Sequence, residues 1–200
     1  MADLVSLHQR AVEGFGSRVL DVAEDDWSRP TPCADWDVRG LINHLLSENL
    51  WTPPLLAGMT IEQVGDRFEG DQLGDDPKHV WQQAAADSLV AVAQPDVLAT
   101  TVHVSFGDIS AEEYVTQLTV DHTIHAWDLA RATGGDEHLD PELVELALDY
   151  LSIHAEEWQG AGVFAAPLAP PEECGRQGEL LALSGRSQSW PQPSSTADEA

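Results

Sequence analysis

The sequence predicts an all-α fold, a bundle of amphipathic helices with almost no sheet. Apolar residues recur at the three- to four-residue spacing of helices along most of the chain. Capping residues precede several of these segments, and glycine or proline follows them. Alternation of apolar and polar residues, which is typical of strands, is confined to residues 102–106 and predicts at most one minor extended segment.

The predicted helices are separated by loops rich in proline and glycine. Asp37, Ser110 and Asp140 have side chains that cap helix N-termini, and Gly134 supplies a helix stop. We expect the proline pair at residues 53–54 to break or kink the second helix. The predicted helices span residues 3–23, 38 to the proline pair, 77–93, 111–133, 141–158 and 172–184.

The composition predicts one acidic domain and excludes polyanionic partners. The 200 residues carry 35 Asp and Glu against 9 Lys and Arg, a formal net charge of −26. Phosphate-binding surfaces need clustered cations, so nucleic acids and anionic membranes are excluded as partners. We assign residues 1–186 to a single helical domain and residues 187–200 to a flexible acidic, Ser- and Pro-containing tail. Two cysteines, and the lack of a recognisable secretory signal or membrane-spanning stretch, predict a cytoplasmic protein.

Two polar residues interrupt the apolar face of the helix predicted over residues 111–133. Tyr114, Leu118 and Leu129 lie on that face by helical periodicity. Asp121 and His125 lie in its middle, one turn apart. Burying a carboxylate and an imidazole is costly unless each finds a partner, and a shared metal cation is a partner for both. A simple ion pair, or an exposed helix face, is the alternative interpretation.

His44 is the third predicted member of this site. It lies at the edge of the apolar face of the second helix, where a hydrogen-bonded boundary histidine is the alternative. His44, Asp121 and His125 form a two-histidine, one-carboxylate set that leaves metal positions open, as catalytic sites do. The other histidines without ligand spacing are predicted to lie at the surface or its boundary: His8, His79, His103, His138 and His154.

Two stretches of the sequence carry a family resemblance. They are residues 27–45, WSRPTPCADWDVRGLINHL, and residues 125–134, HAWDLARATG. Together they resemble the mycothiol-dependent maleylpyruvate isomerase N-terminal family, the actinobacterial branch of the DinB/YfiT-like superfamily, over about residues 5–185. The resemblance implies a DinB-like four-helix bundle with short additional C-terminal helices. It also implies a divalent metal, usually zinc, with nickel or iron as alternatives, held by His44, Asp121 and His125.

Two features depart from the family pattern. The acidic ligand position is typically Glu in this family and is Asp121 here, so we expect weaker metal binding or entry of His122 into the metal shell. The isomerase also carries a second C-terminal domain, whereas fewer than 45 residues follow Trp158 in this sequence. The resemblance therefore does not extend to maleylpyruvate as the specific substrate.

Several residues around the proposed ligands have alternative roles. We interpret Cys33 as a small packed side chain rather than a residue beside the metal or one that responds to oxidants. Trp36 and Trp127 flank the ligands and either pack in the core or form the wall of a pocket. For Asp128, an ion pair with Arg131 is preferred over a hydrogen bond to a ligand histidine.

The resemblance implies an enzyme of low-molecular-weight thiol chemistry. Mycothiol would be the cosubstrate, with its sulfur on the metal, and the thiolate would attack a small electrophilic substrate in an S-transferase or isomerase reaction. The sequence assigns no catalytic residue beyond the metal ligands. The first alternative is a non-catalytic metal-binding or sensing module. The second is a plain helical domain that self-associates, for which a homodimer is the simplest form.

Overall fold

The computed structural model describes residues 3–34, 36–160 and 165–191, without the side chains at 155–157 and 159–160. The described residues form seven α-helices and one antiparallel hairpin, which confirms the predicted all-α fold. The hairpin joins β1 (Thr101–Val104) to β2 (Gly107–Ser110) and overlaps the predicted extended segment. The helices are α1 (Leu4–Asp21), α2 (Val38–Leu56), α3 (Ile61–Val64), α4 (Pro77–Val92), α5 (Ala111–Thr133), α6 (Pro141–Gly160) and α7 (Gly175–Leu183).

Helices α1, α2, α4 and α5 form a four-helix bundle. Both α1 and α2 pack against α4 and α5, which closes the ring of four. Burial of each large apolar side chain in its centre stabilises the fold by roughly 1.5–3 kcal/mol. α6 packs on α5, and α7 packs on α6. The central side chains include Val12, Phe15, Leu41, Leu45, Trp81 and Leu129.

The two helices that carry the predicted site begin where the sequence indicates. Asp37 Oδ1 accepts a hydrogen bond from the Gly40 amide at 2.8 Å and caps α2. Ser110 Oγ accepts from the Glu113 amide at 3.1 Å and caps α5. Gly134 ends α5 with a φ of 76°, a left-handed conformation that favours glycine. These caps determine where α2 and α5 begin, and burial of the apolar faces of the two helices decides where their polar side chains point.

Helix α2 continues through the proline pair, so the predicted break at these two residues is wrong, and the alternative of a kink there stays a prediction. Pro53 and Pro54 lie inside the helix, which ends at Leu56. Each proline removes one amide donor, so the helical bonds to the carbonyls of residues 49 and 50 are lost, and the helix ends two residues after Pro54. The carbonyl of Pro53 still accepts from the Ala57 amide at 3.0 Å. Leu55 and Leu56 are buried, and that burial favours continuing the helix.

The last described residues are attached to the bundle by Arg131. Its Nε donates to the Trp190 carbonyl at 3.0 Å, and its Nη2 donates to the Gln188 carbonyl. Residues 192–200 lie outside the described residues, so the assignment of residues 187–200 as a tail remains a prediction. Within the described parts of the chain, none of the helices is long and apolar enough to cross a membrane.

His8 is buried in the bundle, so its predicted surface or boundary position is wrong. The Thr119 hydroxyl donates to the Val115 carbonyl at 2.7 Å and therefore accepts from His8 Nδ1–H at 3.0 Å. This bond across α1 and α5 lets an imidazole replace an apolar side chain in the core. Burial, assisted by the neighbouring His122, lowers the pKa of His8 to about 3. The ring is therefore neutral at physiological pH.

Two glycines of α1 give a matched test of helix packing. A β-carbon at Gly16 would lie 2.8 Å from Trp81 Nε1, and that indole is itself buried against Phe15. We expect Gly16→Ala to lower the free energy of unfolding by about 1–3 kcal/mol, because the core must shift. At Gly14 the nearest atom is Arg18 Nη1 at 3.9 Å, so Gly14→Ala should raise stability by roughly 0.5–1 kcal/mol. Urea unfolding of both variants measures the contrast, and equal shifts would contradict it.

The buried ring of His8 makes stability depend on pH. In the unfolded chain a histidine binds a proton below about pH 6.5, whereas native His8 does so only near pH 3. Stability is therefore lost as pH falls from about 6.5 towards 3, by up to ~1.4 kcal/mol per pH unit from this residue. We expect His8→Gln to flatten the slope of unfolding free energy against pH between 4 and 6. Urea titrations of chelator-treated protein test this, and parallel slopes for the two proteins would refute it.

Candidate metal centre

Helices α2 and α5 bring the three predicted residues together. His44 Nε2 lies 3.0 Å from Asp121 Oδ2, and His125 Nε2 lies 3.3 Å from Asp121 Oδ1. One donor atom from each residue lies within 4.8 Å of the others. Asp121 and His125 face α2 because they are one turn apart on α5. The carboxylate thus lies between two imidazoles that come from different helices.

This set of donor atoms fits a divalent transition metal. Imidazole nitrogen and carboxylate oxygen are common zinc ligands, and zinc bond lengths of roughly 2 Å place neighbouring ligand atoms about 3–3.5 Å apart. The spacings of 3.0 and 3.3 Å join the two imidazoles to different oxygens of Asp121, and one donor atom from each residue lies within 4.8 Å of the others, so small side-chain movements would bring all three onto one ion. The His44 side chain is 26% exposed, against 3% for His125. The cluster therefore reaches solvent beside His44, where a further ligand has access.

The side chains of the cluster shift one another's pKa values. Burial opposes ionisation of Asp121, yet the charges and hydrogen bonds of His125 and His44 hold the pKa of Asp121 well below its usual range. Burial likewise opposes the charge on His125, but Asp121 and Asp128 raise the pKa of His125 to about 9. Without a metal, His125 therefore carries a proton that balances the Asp121 carboxylate. A divalent cation would take the place of that proton.

Asp128 holds His125 and does not pair with Arg131, so the preferred prediction for Asp128 is wrong. Asp128 Oδ2 accepts from His125 Nδ1–H at 2.8 Å and from Arg186 Nη2 at 2.9 Å. Arg131 instead pairs with Glu137 at 2.8 Å. The physical reason is helical rotation, because Asp128 is fully buried beside His125 whereas Arg131 projects towards the C-terminal segment. The other predicted role of Asp128, a hydrogen bond to the proposed ligand, is the one observed.

His122 does not approach the cluster, so its predicted entry into the metal shell is wrong. Its Nδ1–H donates to the Leu118 carbonyl at 2.8 Å, and Asn49 Nδ2 donates to its Nε2 at 3.3 Å. One residue after Asp121, the side chain points about 100° away around the helix. Burial lowers the pKa of His122 to about 4, which keeps the ring neutral in the core.

The loop before α2 contributes an aromatic wall. Trp36 stacks on His44, with ring centroids 4.5 Å apart, and lies 5.6 Å from the ring of His125. Trp127 is buried in the core. Of the two tryptophans predicted to flank the ligands, Trp36 is the one whose ring lies against both histidines. Cys33 is half-buried in the same loop.

Glu48 and Arg186 are functional candidates that the sequence reasoning missed. Glu48 lies one turn after His44 on α2, and burial raises its pKa to about 6, with His44 opposing the rise and Asp121 adding to it. The spacing of four residues from His44 was a usable signal for Glu48. Arg186 lies 58 positions from Asp128, and no local pattern in the sequence links the two.

Comparisons with known proteins identify a family for this chain. A family model described as the mycothiol maleylpyruvate isomerase N-terminal domain matches residues 8–130. Uncharacterized proteins from two strains of Mycobacterium tuberculosis are each 31% identical over 193 residues, covering 92% of this chain and 98% of the relative.

A solved structure shares the fold. It is the crystal structure of a histidine-to-alanine mutant of mycothiol-dependent maleylpyruvate isomerase, with a TM-score of 0.62 and 16% sequence identity. The match covers 80% of this chain and 71% of that chain. On the family match and the mycobacterial relatives, this chain belongs to the mycothiol maleylpyruvate isomerase N-terminal domain family.

Proposed function

We propose that this chain is a metal-dependent enzyme of low-molecular-weight thiol chemistry. It would use mycothiol to act on a small electrophile, as an S-transferase or isomerase, with the metal held by His44, Asp121 and His125. Family membership supports mycothiol as the thiol. The observation that carries the proposal is the convergence of these three donor side chains at a point that reaches solvent beside His44.

Three protein donors favour catalysis over a purely structural metal. Structural zinc sites usually close with four protein ligands, whereas catalytic sites keep a position for water or substrate. Among the described residues, the cluster contains three metal-ligating side chains and no fourth. This is the feature that favours an enzyme over the alternative, a metal-binding or sensing module.

The residues of the cluster have distinct tasks in this proposal. A bound metal would supply a Lewis acid that lowers the pKa of a thiol. Asp128 accepts from His125 Nδ1–H and so leaves Nε2 directed at the cluster. Trp36 covers the ring of His44 and limits water on that side. We assign Glu48 to accept the thiol proton, after which the sulfur adds to an electrophilic double-bond carbon of the substrate and the π electron pair moves onto the substrate. Glu48 then returns the proton to the adduct in a transfer, or the sulfur is eliminated again and takes the proton back in an isomerisation.

Metal analysis tests the three ligands. We expect purified protein to bind one equivalent of a divalent metal, with zinc favoured over nickel or iron. His44→Ala should weaken binding at least 100-fold, because it removes one of three donors. Elemental analysis and chelator competition measure both quantities.

The hairpin offers a matched control for this test. His103 Nδ1 lies 2.7 Å from Asp108 Oδ1, so this pair also joins a histidine to a carboxylate, but it lies outside the three-residue cluster. His103→Ala should leave metal content and affinity unchanged. Equal effects of the two substitutions, or no stoichiometric metal in the wild type, would overturn the metal site.

A thiol-consumption assay tests the chemistry. We expect the metal-loaded protein to accelerate the reaction of mycothiol with members of an electrophile panel that includes maleylpyruvate, while glutathione reacts slowly. Glu48→Gln should keep the metal and lower turnover about 10- to 100-fold, because the neutral amide cannot accept a proton. Mass spectrometry of thiol and product gives the rates.

The variants separate the two functional hypotheses. A protein that binds metal tightly but consumes no thiol with any electrophile would support the non-catalytic module instead. Full turnover by Glu48→Gln would refute the role of that carboxylate without affecting the metal site.

A further inference from the structure

Arg186 reaches the cluster from the C-terminal segment. Its Nη2 donates to Asp128 Oδ2 at 2.9 Å, and its Nε lies 3.3 Å from both carboxylate oxygens. Its Nη1 donates to the Ser184 carbonyl at 2.7 Å. The side chains of Arg186 and Asp128 are 4% and 0% exposed. Because Asp128 also accepts from His125 Nδ1–H, a continuous line of contacts joins the guanidinium to a proposed ligand.

The end of α7 determines the direction of this arginine. The Gly185 amide donates to the Ala182 carbonyl at 3.1 Å, and the Arg186 amide donates to the Leu181 carbonyl at 2.7 Å. This pair of bonds is the Schellman ending of a helix, and it requires the left-handed φ of 77° found at Gly185. A β-carbon at Gly185 would also lie 2.8 Å from Ala165 Cβ. Glycine here therefore turns the chain so that the next side chain enters the core.

Helix α7 is itself fixed to the bundle. Leu180 is fully buried in a cluster with Val120 and Ile124 of α5 and Leu151 of α6. The turn that carries Arg186 is thus anchored on the same helix that carries Asp121 and His125. A rigid anchor of this kind lets one side chain hold another in a defined orientation.

The buried charge of Asp128 explains why Arg186 lies beside it. A buried carboxylate needs a cationic or hydrogen-bonded partner. Arginine is always charged and binds a carboxylate through several donors, so Arg186 meets that need for Asp128.

We propose that Arg186 is a positioning residue for the metal centre. Its guanidinium holds Asp128, and Asp128 holds the ring of His125 in the orientation that a metal requires. The segment from α7 to Arg186 lies outside residues 8–130, the part matched by the family model, and it completes the centre. The inference rests on the proposed function, since it takes His125 as a metal ligand.

Cobalt binding to the full chain tests the inference. Co²⁺ substitutes for zinc in sites of this type, and its visible spectrum reports ligand geometry, which a merely structural residue would not change. We expect Arg186→Gln to weaken Co²⁺ binding about 10- to 100-fold and to alter the spectrum. Chelator competition gives the affinity, and circular dichroism verifies the fold.

Arg131 supplies the matched control. It is also an arginine that binds the C-terminal segment, through the carbonyls of Gln188 and Trp190, but it does not contact Asp128. Arg131→Gln should leave the Co²⁺ affinity within about twofold and the spectrum unchanged, even if the melting temperature falls. If Arg186→Gln affects Co²⁺ binding no more than Arg131→Gln does, the inference is wrong.

A conservative variant keeps the test decisive if Arg186→Gln does not fold. Arg186→Lys keeps the charge but cannot span both carboxylate oxygens, so we expect a smaller loss of affinity, about three- to tenfold, with an altered spectrum. Wild-type affinity and spectrum in Arg186→Lys would then overturn the positioning role. Failure of the wild type itself to bind Co²⁺ would instead refute the proposed function, so the two failures are distinguishable.

Discussion

The buried carboxylate of Asp121, between His44 and His125, is the interaction on which the rest of the site depends. Its two imidazole neighbours, at 3.0 and 3.3 Å, allow a carboxylate to lie on the apolar face of α5. Burial of the apolar faces of α2 and α5 brings the polar side chains of the two helices together. Asp128 orients one imidazole, and Trp36 stacks on the other. The bundle supplies the rigid frame, and its polar cluster supplies the donor atoms of the proposed metal centre.

Much of this arrangement followed from local sequence. Asp121 and His125 are predictable from the sequence alone, because two residues four positions apart in a helix lie on the same face whatever the tertiary context. His44 required a further step, since the apolar face of α2 indicates which side of that helix is buried but not which partner it meets. A metal site needs a third donor, which made His44 the best candidate, and the family resemblance agreed with it. The fold class followed from periodicity and caps, because seven helices dominate the described chain.

The errors share one cause, which is tertiary context. Pro53 and Pro54 stay helical although each removes a backbone donor, and the two buried leucines that follow them favour the helix, which local propensity does not predict. His8 can be buried because Thr119, 111 positions away, accepts a hydrogen bond from its Nδ1–H. The partner of Asp128 was missed for the same reason, since Arg186 is distant in sequence and follows a helix whose docking no local pattern reveals.

Arg186 follows Asp128 by 58 positions, so the ribosome synthesises the arginine after the aspartate that it binds. A ribosome releases the chain from its N-terminus, so all three proposed metal ligands emerge well before α7. During that interval Asp128 has no guanidinium to hold it, and the apolar surface of α5 that α7 later covers is still exposed. If the proposed centre binds a metal, tight and selective loading would therefore follow release of the C-terminal segment from the ribosome.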